Sequence, residues 1–205
     1  MEGISPKQEG PPFPREAGDQ ALPPWRSLLQ TARQREGLAP QGRWLQLASV
    51  GSDGAPRLRT LVFRGWVGPS NLDLLTDARS NKVTELAAEP RLELCWLLPT
   101  SRCQFRMRGM LMQLLAKDEQ AARARHWQQL QPAERALWAW PEPGAPLEAR
   151  AHVPAELAEG SPLPACFVLL RIELQQVELL ELTGLPHKRR RWCSDRNWQE
   201  ERLNP

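Results

Sequence analysis

The apolar positions of this chain change their spacing repeatedly, and each change marks an element. A helix is predicted over about Pro24 to Gln34, with Pro24 at its first turn, where a missing N–H costs nothing. Arg43 to Val50 then alternates, with Trp44, Leu45, Leu47 and Val50 apolar, which predicts a strand. Gly51-Ser52-Asp53-Gly54 reads as a hairpin turn and Arg57 to Trp66 as the returning strand. Gly68-Pro69-Ser70-Asn71 turns the chain into Leu72 to Thr76. A second helix is expected from about Ser80 to Ala88, capped by Asp77 or Ser80 and ended by Pro90.

Strand signals resume in Arg91 to Leu98, closed by the turn Pro99-Thr100-Ser101. Cys103 to Leu115 is largely extended, with Gln104, Arg106 and Arg108 on one face and Phe105, Met107 and Gly109 on the other. Asp118 to Leu130 is predicted helical, and a short helix follows from Pro132. Six prolines between Pro141 and Pro164 argue for loop, with one turn of helix around Glu156. Cys166 to Leu182 reads as a strand pair or one bent strand, and His187 to Pro205 is basic and then carries Trp192, Trp198 and Arg202. Hairpins this short cannot hold crossover helices, so a doubly wound sheet is excluded and a small β-barrel of six or more strands is expected.

Composition narrows the rest. At 205 residues the chain can bury one core, and 41% hydrophobic with 25% charged residues is globular usage. The net charge of +3 favours small anionic ligands slightly and gives no case for nucleic acid. No apolar run is long enough to cross a bilayer, and the opening Met-Glu-Gly-Ile-Ser-Pro lacks a signal-peptide pattern. Residues 1–22, rich in Pro, Gly and Glu, read as a flexible arm ahead of a single domain over 23–205. Cys95, Cys103, Cys166 and Cys193 show no C-x-x-C spacing, so reduced thiols and a cytoplasmic setting are expected.

The chemistry concentrates between Pro56 and Lys82. Arg59 and Arg64 ride on a strand, and Arg79 and Lys82 load the start of a helix, where cations oppose the helix dipole. A bound anion would reverse that penalty, because free backbone N–H groups and nearby cations together make a phosphate site. The same stretch also fits a solvated helix end. Arg59 and Arg64 are five apart and point to opposite faces of a regular strand, so a shared ligand needs a bulge or a strand end. Gln104 offers donors and an acceptor suited to a heterocycle edge. Glycine-rich nucleotide loops, hydrolase elbows and zinc-helix motifs are missing, and His126, His152 and His187 lie too far apart in sequence to suggest a metal site. His126, in a charged helix, is expected at the surface.

The order of these pieces resembles the pyridoxamine 5′-phosphate oxidase family of FMN-binding split barrels, over about residues 22 to 205. The resemblance rests on Arg59-Thr60-Leu61-Val62-Phe63-Arg64, on Thr76-Asp77-Ala78-Arg79-Ser80-Asn81-Lys82, on Gln104-Phe105-Arg106-Met107-Arg108-Gly109 and on Trp138-Ala139-Trp140. Pro162-Leu163-Pro164, Gln176-Val177-Glu178 and the closing Trp198 to Pro205 follow in family order. It implies a mainly β (α+β) fold, a six-stranded antiparallel split barrel with flanking helices, and a homodimer holding FMN at the subunit interface. By position, Arg59 and Lys82 would meet the phosphate. Thr60, Leu61, Val62, Arg64, Leu75, Thr76, Arg79, Ser80, Asn81 and Gln104 would line the cofactor, and Arg191 would reach it from the C-terminal segment.

The sequence also departs from the family. Asn81 stands where the family has an arginine, and Leu180 where it has a tryptophan. His187-Lys188-Arg189-Arg190-Arg191 replaces the oxidase's substrate-holding run, keeping only the final arginine, while Gln131 and Arg135 fall at two further substrate positions. The resemblance therefore implies an FMN oxidoreductase of unknown substrate. The alternatives are a genuine pyridoxamine or pyridoxine phosphate oxidase with a diverged site, and a flavin-binding module without turnover.

Overall fold

The structure, a computed structural model, describes residues 21–146, 148 and 150–205. Most of the arm expected over 1–22 lies outside them. Eight strands run β1 (Trp44–Val50), β2 (Pro56–Val67), β3 (Asn71–Asp77), β4 (Arg91–Leu98), β5 (Cys103–Leu111), β6 (Phe167–Glu181), β7 (Lys188–Cys193) and β8 (Glu201–Leu203). Four helices join them: α1 (Pro24–Arg35), α2 (Asn81–Ala88), α3 (Ala116–Gln129) and α4 (Pro132–Ala136). The sheet order is β3-β2-β1-β4-β5-β6-β7-β8, and a further β3–β6 pairing closes six antiparallel strands into a barrel. The expected barrel is thus found, with β7 and β8 as a hairpin-like extension.

β6 makes both closure and extension possible. Its first half pairs with β3, from Phe167↔Asp77 to Glu173↔Asn71, and its second half pairs with β7, from Gln176↔Cys193 to Glu181↔Lys188. It is one bent strand, and the register slips opposite Arg108 and Gly109. Gly109 is required there, because a Cβ would lie 2.3 Å from the Glu173 carbonyl oxygen.

The barrel interior is filled by Leu45, Leu47, Leu72, Leu74, Leu94, Trp96, Phe105, Met107, Ile172 and Val177. Trp25 and Leu29 of α1 close one end, with Trp25 lying 5.5 Å from the Trp66 ring. A second, smaller core lies outside the barrel, where α3 and the turn after α4 bring Trp127 and Trp138 onto Leu75, Phe167 and Leu169. No helix among the described residues is long and apolar enough to cross a membrane.

Three local expectations are corrected. β5 stops at Leu111, four residues early: Met112 makes one last bond to β6, its N–H donating to the Arg171 carbonyl, and the chain then leaves for α3. No helical turn forms around Glu156; Leu157 N–H instead donates to the Pro132 carbonyl, so the loop is held by α4. Ser80, one of the two residues expected there, is the N-cap of α2, but neither it nor Asp77 bonds the helix start through its side chain. Asp77 Oδ1 accepts the Arg79 N–H at 2.8 Å, and Ser80 Oγ donates to the Asp77 carbonyl at 2.6 Å, so both build the turn that precedes the helix.

Candidate functional site

Thr76, the last residue but one of β3, lies on the same side as Leu72 and Leu74, facing the barrel interior. The tight turn Asp77 to Ser80 then reverses the chain into α2. That places Lys82 Nζ 3.0 Å from Thr76 Oγ1 and 2.9 Å from Ser80 Oγ, donating to both hydroxyls. Lys82 has no ion pair among the described residues. Its burial pushes the ammonium below the usual lysine range, and the charge of Arg59 pushes it further, while Asp77 and Glu85 pull the other way. Arg59 lies opposite Leu47 and so shares the inward face. Its guanidinium bonds Glu85, and Ser49 Oγ donates to that same carboxylate. The N–H groups opening α2 have no side-chain cap. Two cations, two hydroxyls and a helix start without a side-chain cap thus converge, and of the two cations Arg59 is paired with Glu85 while Lys82 has no ion-pair partner among the described residues. A phosphate monoester such as that of FMN fits this set in charge and in donor count.

A second group lies on the outer face of β5, β6 and β7. Gln104 Nε2 donates to Cys95 Sγ at 3.2 Å, with Arg106 two residues on. Arg106, Glu178 and Arg191 are successive cross-strand partners. The buried Glu178 carboxylate accepts from Arg106, from Arg189 at 2.7 Å and from Arg191 at 2.9 Å. Burial alone would raise this carboxyl; the three guanidiniums overcome that and hold it down at about 2. No hydrogen bond or ion pair among the described residues joins this group to the Lys82 group.

The other residues singled out by sequence divide between faces. Leu61 packs on the barrel core, whereas Thr60 and Val62 point outward beside Gln46 and Trp44. Arg64 sits where the register shifts between Phe63 and Gly65, and its Nη1 donates to Glu134 of α4 at 2.7 Å. Leu75 turns into the outer core beneath Trp138. Arg79 pairs with Asp77 and donates to the Trp140 carbonyl, away from Lys82, and Asn81 is exposed.

Two residues differ from expectation. His126 is buried, not on the surface: its Nε2 lies 2.8 Å from Asp73 Oδ2, and Arg171 grips the same carboxylate through two bonds of 2.8 and 2.9 Å. A polar residue between Leu72 and Leu74 was the signal that something must meet it. Arg135, placed by sequence at a substrate position, is buried, and its guanidinium donates to the Trp127 and Gln128 carbonyls at the end of α3. It serves as a helix cap there.

The family model for the pyridoxamine 5′-phosphate oxidase, FMN-binding domain, matches residues 22–114. A pyridoxine/pyridoxamine 5′-phosphate oxidase 2 of Arabidopsis thaliana is 29% identical over 196 residues, covering 89% of this chain and 97% of the relative. The crystal structure of a pyridoxamine 5′-phosphate oxidase-related, FMN-binding protein from Nostoc punctiforme is 37% identical. It superposes with a TM-score of 0.82 over 91% of this chain and all of that one. On this likeness of sequence and of barrel, the chain belongs to the pyridoxamine 5′-phosphate oxidase-related family, whose cofactor is FMN.

Proposed function

We propose that this protein is a homodimeric, cytoplasmic FMN oxidoreductase. The FMN phosphate lies on Lys82, Arg59, Thr76, Ser80 and the start of α2. The observation that carries the reading is Lys82, a half-buried ammonium held only by hydroxyls. When bound, FMN supplies the electron-transfer chemistry, and the chain's own residues bind, orient and screen it. Gln104 and Arg191, which sit apart from Lys82 within one chain, come from the second subunit. The exposed apolar side chains Val50, Leu58 and Leu97 on the outer faces of β1, β2 and β4 supply the dimer contact. Four free thiols suit a reducing compartment.

Titration with FMN and riboflavin tests the phosphate assignment. FMN should bind more tightly, and Lys82→Ala should weaken FMN by about 1–3 kcal/mol while leaving riboflavin unchanged. Equal affinity for the two ligands would end the proposal. The Arabidopsis relative's name makes pyridoxamine phosphate the first substrate to assay. Little turnover is expected, because Arg135 is committed to α3 and Arg189 to Glu178. Turnover near that of a true oxidase would restore the narrower reading, and a yellow protein inert toward a panel of donors would favour a flavin carrier.

A further inference from the structure

A groove of about 730 Å³ runs between α1, the start of β1, the outer face of β2 and α4. Its lining includes Gln34, Arg33, Arg43, Trp44, Val62 and Glu134. The charges do not balance. Glu134, the only carboxylate in the lining among the described residues, has both oxygens engaged, one by Arg64 at 2.7 Å and one by the Gln131 N–H at 3.2 Å. Arg33 donates its Nε to the Gly42 carbonyl at 2.7 Å and stacks over Phe63 and Trp96, but its terminal amino groups find no acceptor among the described residues. Burial, and then the charge of Arg43, lower the Arg33 pKa to about 10. Arg43 is exposed and makes no side-chain hydrogen bond or ion pair among the described residues. Beside these guanidiniums lie the half-exposed Trp44 ring and Val62, cross-strand partners that form a flat apolar floor.

We propose that this groove binds a flat organic carboxylate, its anion between Arg33 and Arg43 and its ring on Trp44 and Val62. Guanidiniums favour planar carboxylates and stack on aromatic faces, and the groove is of ordinary ligand size. Val62 belongs to the segment assigned to the flavin, so the groove also receives the compound that reacts there. That second statement rests on the proposed function, whereas anion binding does not.

Ligand-observed NMR on the full-length protein, with and without FMN, tests both statements using benzoate, benzylamine and inorganic phosphate as probes. Benzoate should bind in either state and more tightly than the other two. Arg43→Ala should weaken it by about tenfold, the equivalent of one charge-assisted contact, with the melting temperature unchanged. Trp44→Ala should weaken benzoate and leave phosphate alone. Equal binding of benzylamine, equal binding of phosphate, or indifference to Arg43→Ala would overturn the proposal. Benzoate should also shift the absorption bands of bound FMN. Binding without that shift would remove the groove from the flavin's chemistry while leaving the anion site, and failure of FMN itself to bind would show in the titration described above.

Discussion

The barrel has two kinds of outer face, and they solve the same problem differently. Across β3 and the first half of β6, the chain supplies its own cover: α3 and the turn after α4 bury Leu75, Phe167 and Leu169 beneath Trp127 and Trp138. The one buried carboxylate there, Asp73, is met by Arg171 and His126 from two other elements. Across the outer faces of β1, β4, β5 and the second half of β6, no second apolar core like this one is built. Leu58 is 70% exposed and Leu97 49%, and three arginines crowd the single carboxylate of Glu178. One face is complete in charge and apolar contact. The other carries excess positive charge and open apolar surface, the signature of a face that meets another molecule.

The contrast breaks most visibly at Asp73. Asp73→Asn keeps the shape but leaves Arg171, 11% exposed, with no counter-charge. Loss of one partner from a buried pair costs about 3–5 kcal/mol, so urea unfolding should show a drop of that size. A change below about 1 kcal/mol would mean that α3 is not fastened through this carboxylate.

Glu178 gives the matching test on the open face, with a smaller effect. Its arginines are about a third exposed, which screens each contact, so Glu178→Gln should cost about 1–2 kcal/mol at neutral pH. The sign with pH is fixed. A carboxyl held at about 2 in the folded protein adds stability above its ordinary value near ~4.3, and that contribution disappears as pH falls toward 2. Wild type should therefore lose stability across that acid window more steeply than Glu178→Gln. Parallel acid limbs would show that the three guanidiniums do not hold this carboxyl down.

These differences also explain what the sequence could reveal. β4 was legible to the residue, because an apolar-rich run from Arg91 to Leu98 is bracketed by Pro90 and Pro99. The opposed faces of Arg59 and Arg64 follow from strand parity, and of the two ways named to relax it, a bulge or a strand end, the structure has a register shift between Phe63 and Gly65. The Lys82 cluster was legible because Thr76, Ser80 and Lys82 lie within seven residues, so one turn gathers them. His126 was not legible. Its partner is 53 residues away on another element, and α3 has little amphipathic contrast to say which side is buried. Arg135 misled for a related reason: spacing placed it at a ligand position, whereas the carbonyl ends of α3 claim it only in three dimensions. The groove of Arg33 and Arg43 draws on α1, β1, β2 and α4, and no local pattern brings those together.

The smallest effect on folding should produce the clearest effect on assembly. Leu58 protrudes from β2 opposite Ala48, touching the barrel core through its backbone strand alone. Placing a charge there removes no buried contact, so Leu58→Arg should leave the unfolding free energy of a subunit within about 0.5 kcal/mol. On a two-fold interface the same substitution enters twice, because each subunit presents the same patch to the other. It would set like charges against each other across the two-fold axis. Light scattering should then report about twice the chain mass for wild type and one chain mass for Leu58→Arg at micromolar concentration. If Gln104 and Arg191 reach FMN from the second subunit, flavin affinity should fall with the mass. A monomeric wild type, or a monomeric variant that keeps full FMN affinity, would place the whole cofactor site within one chain.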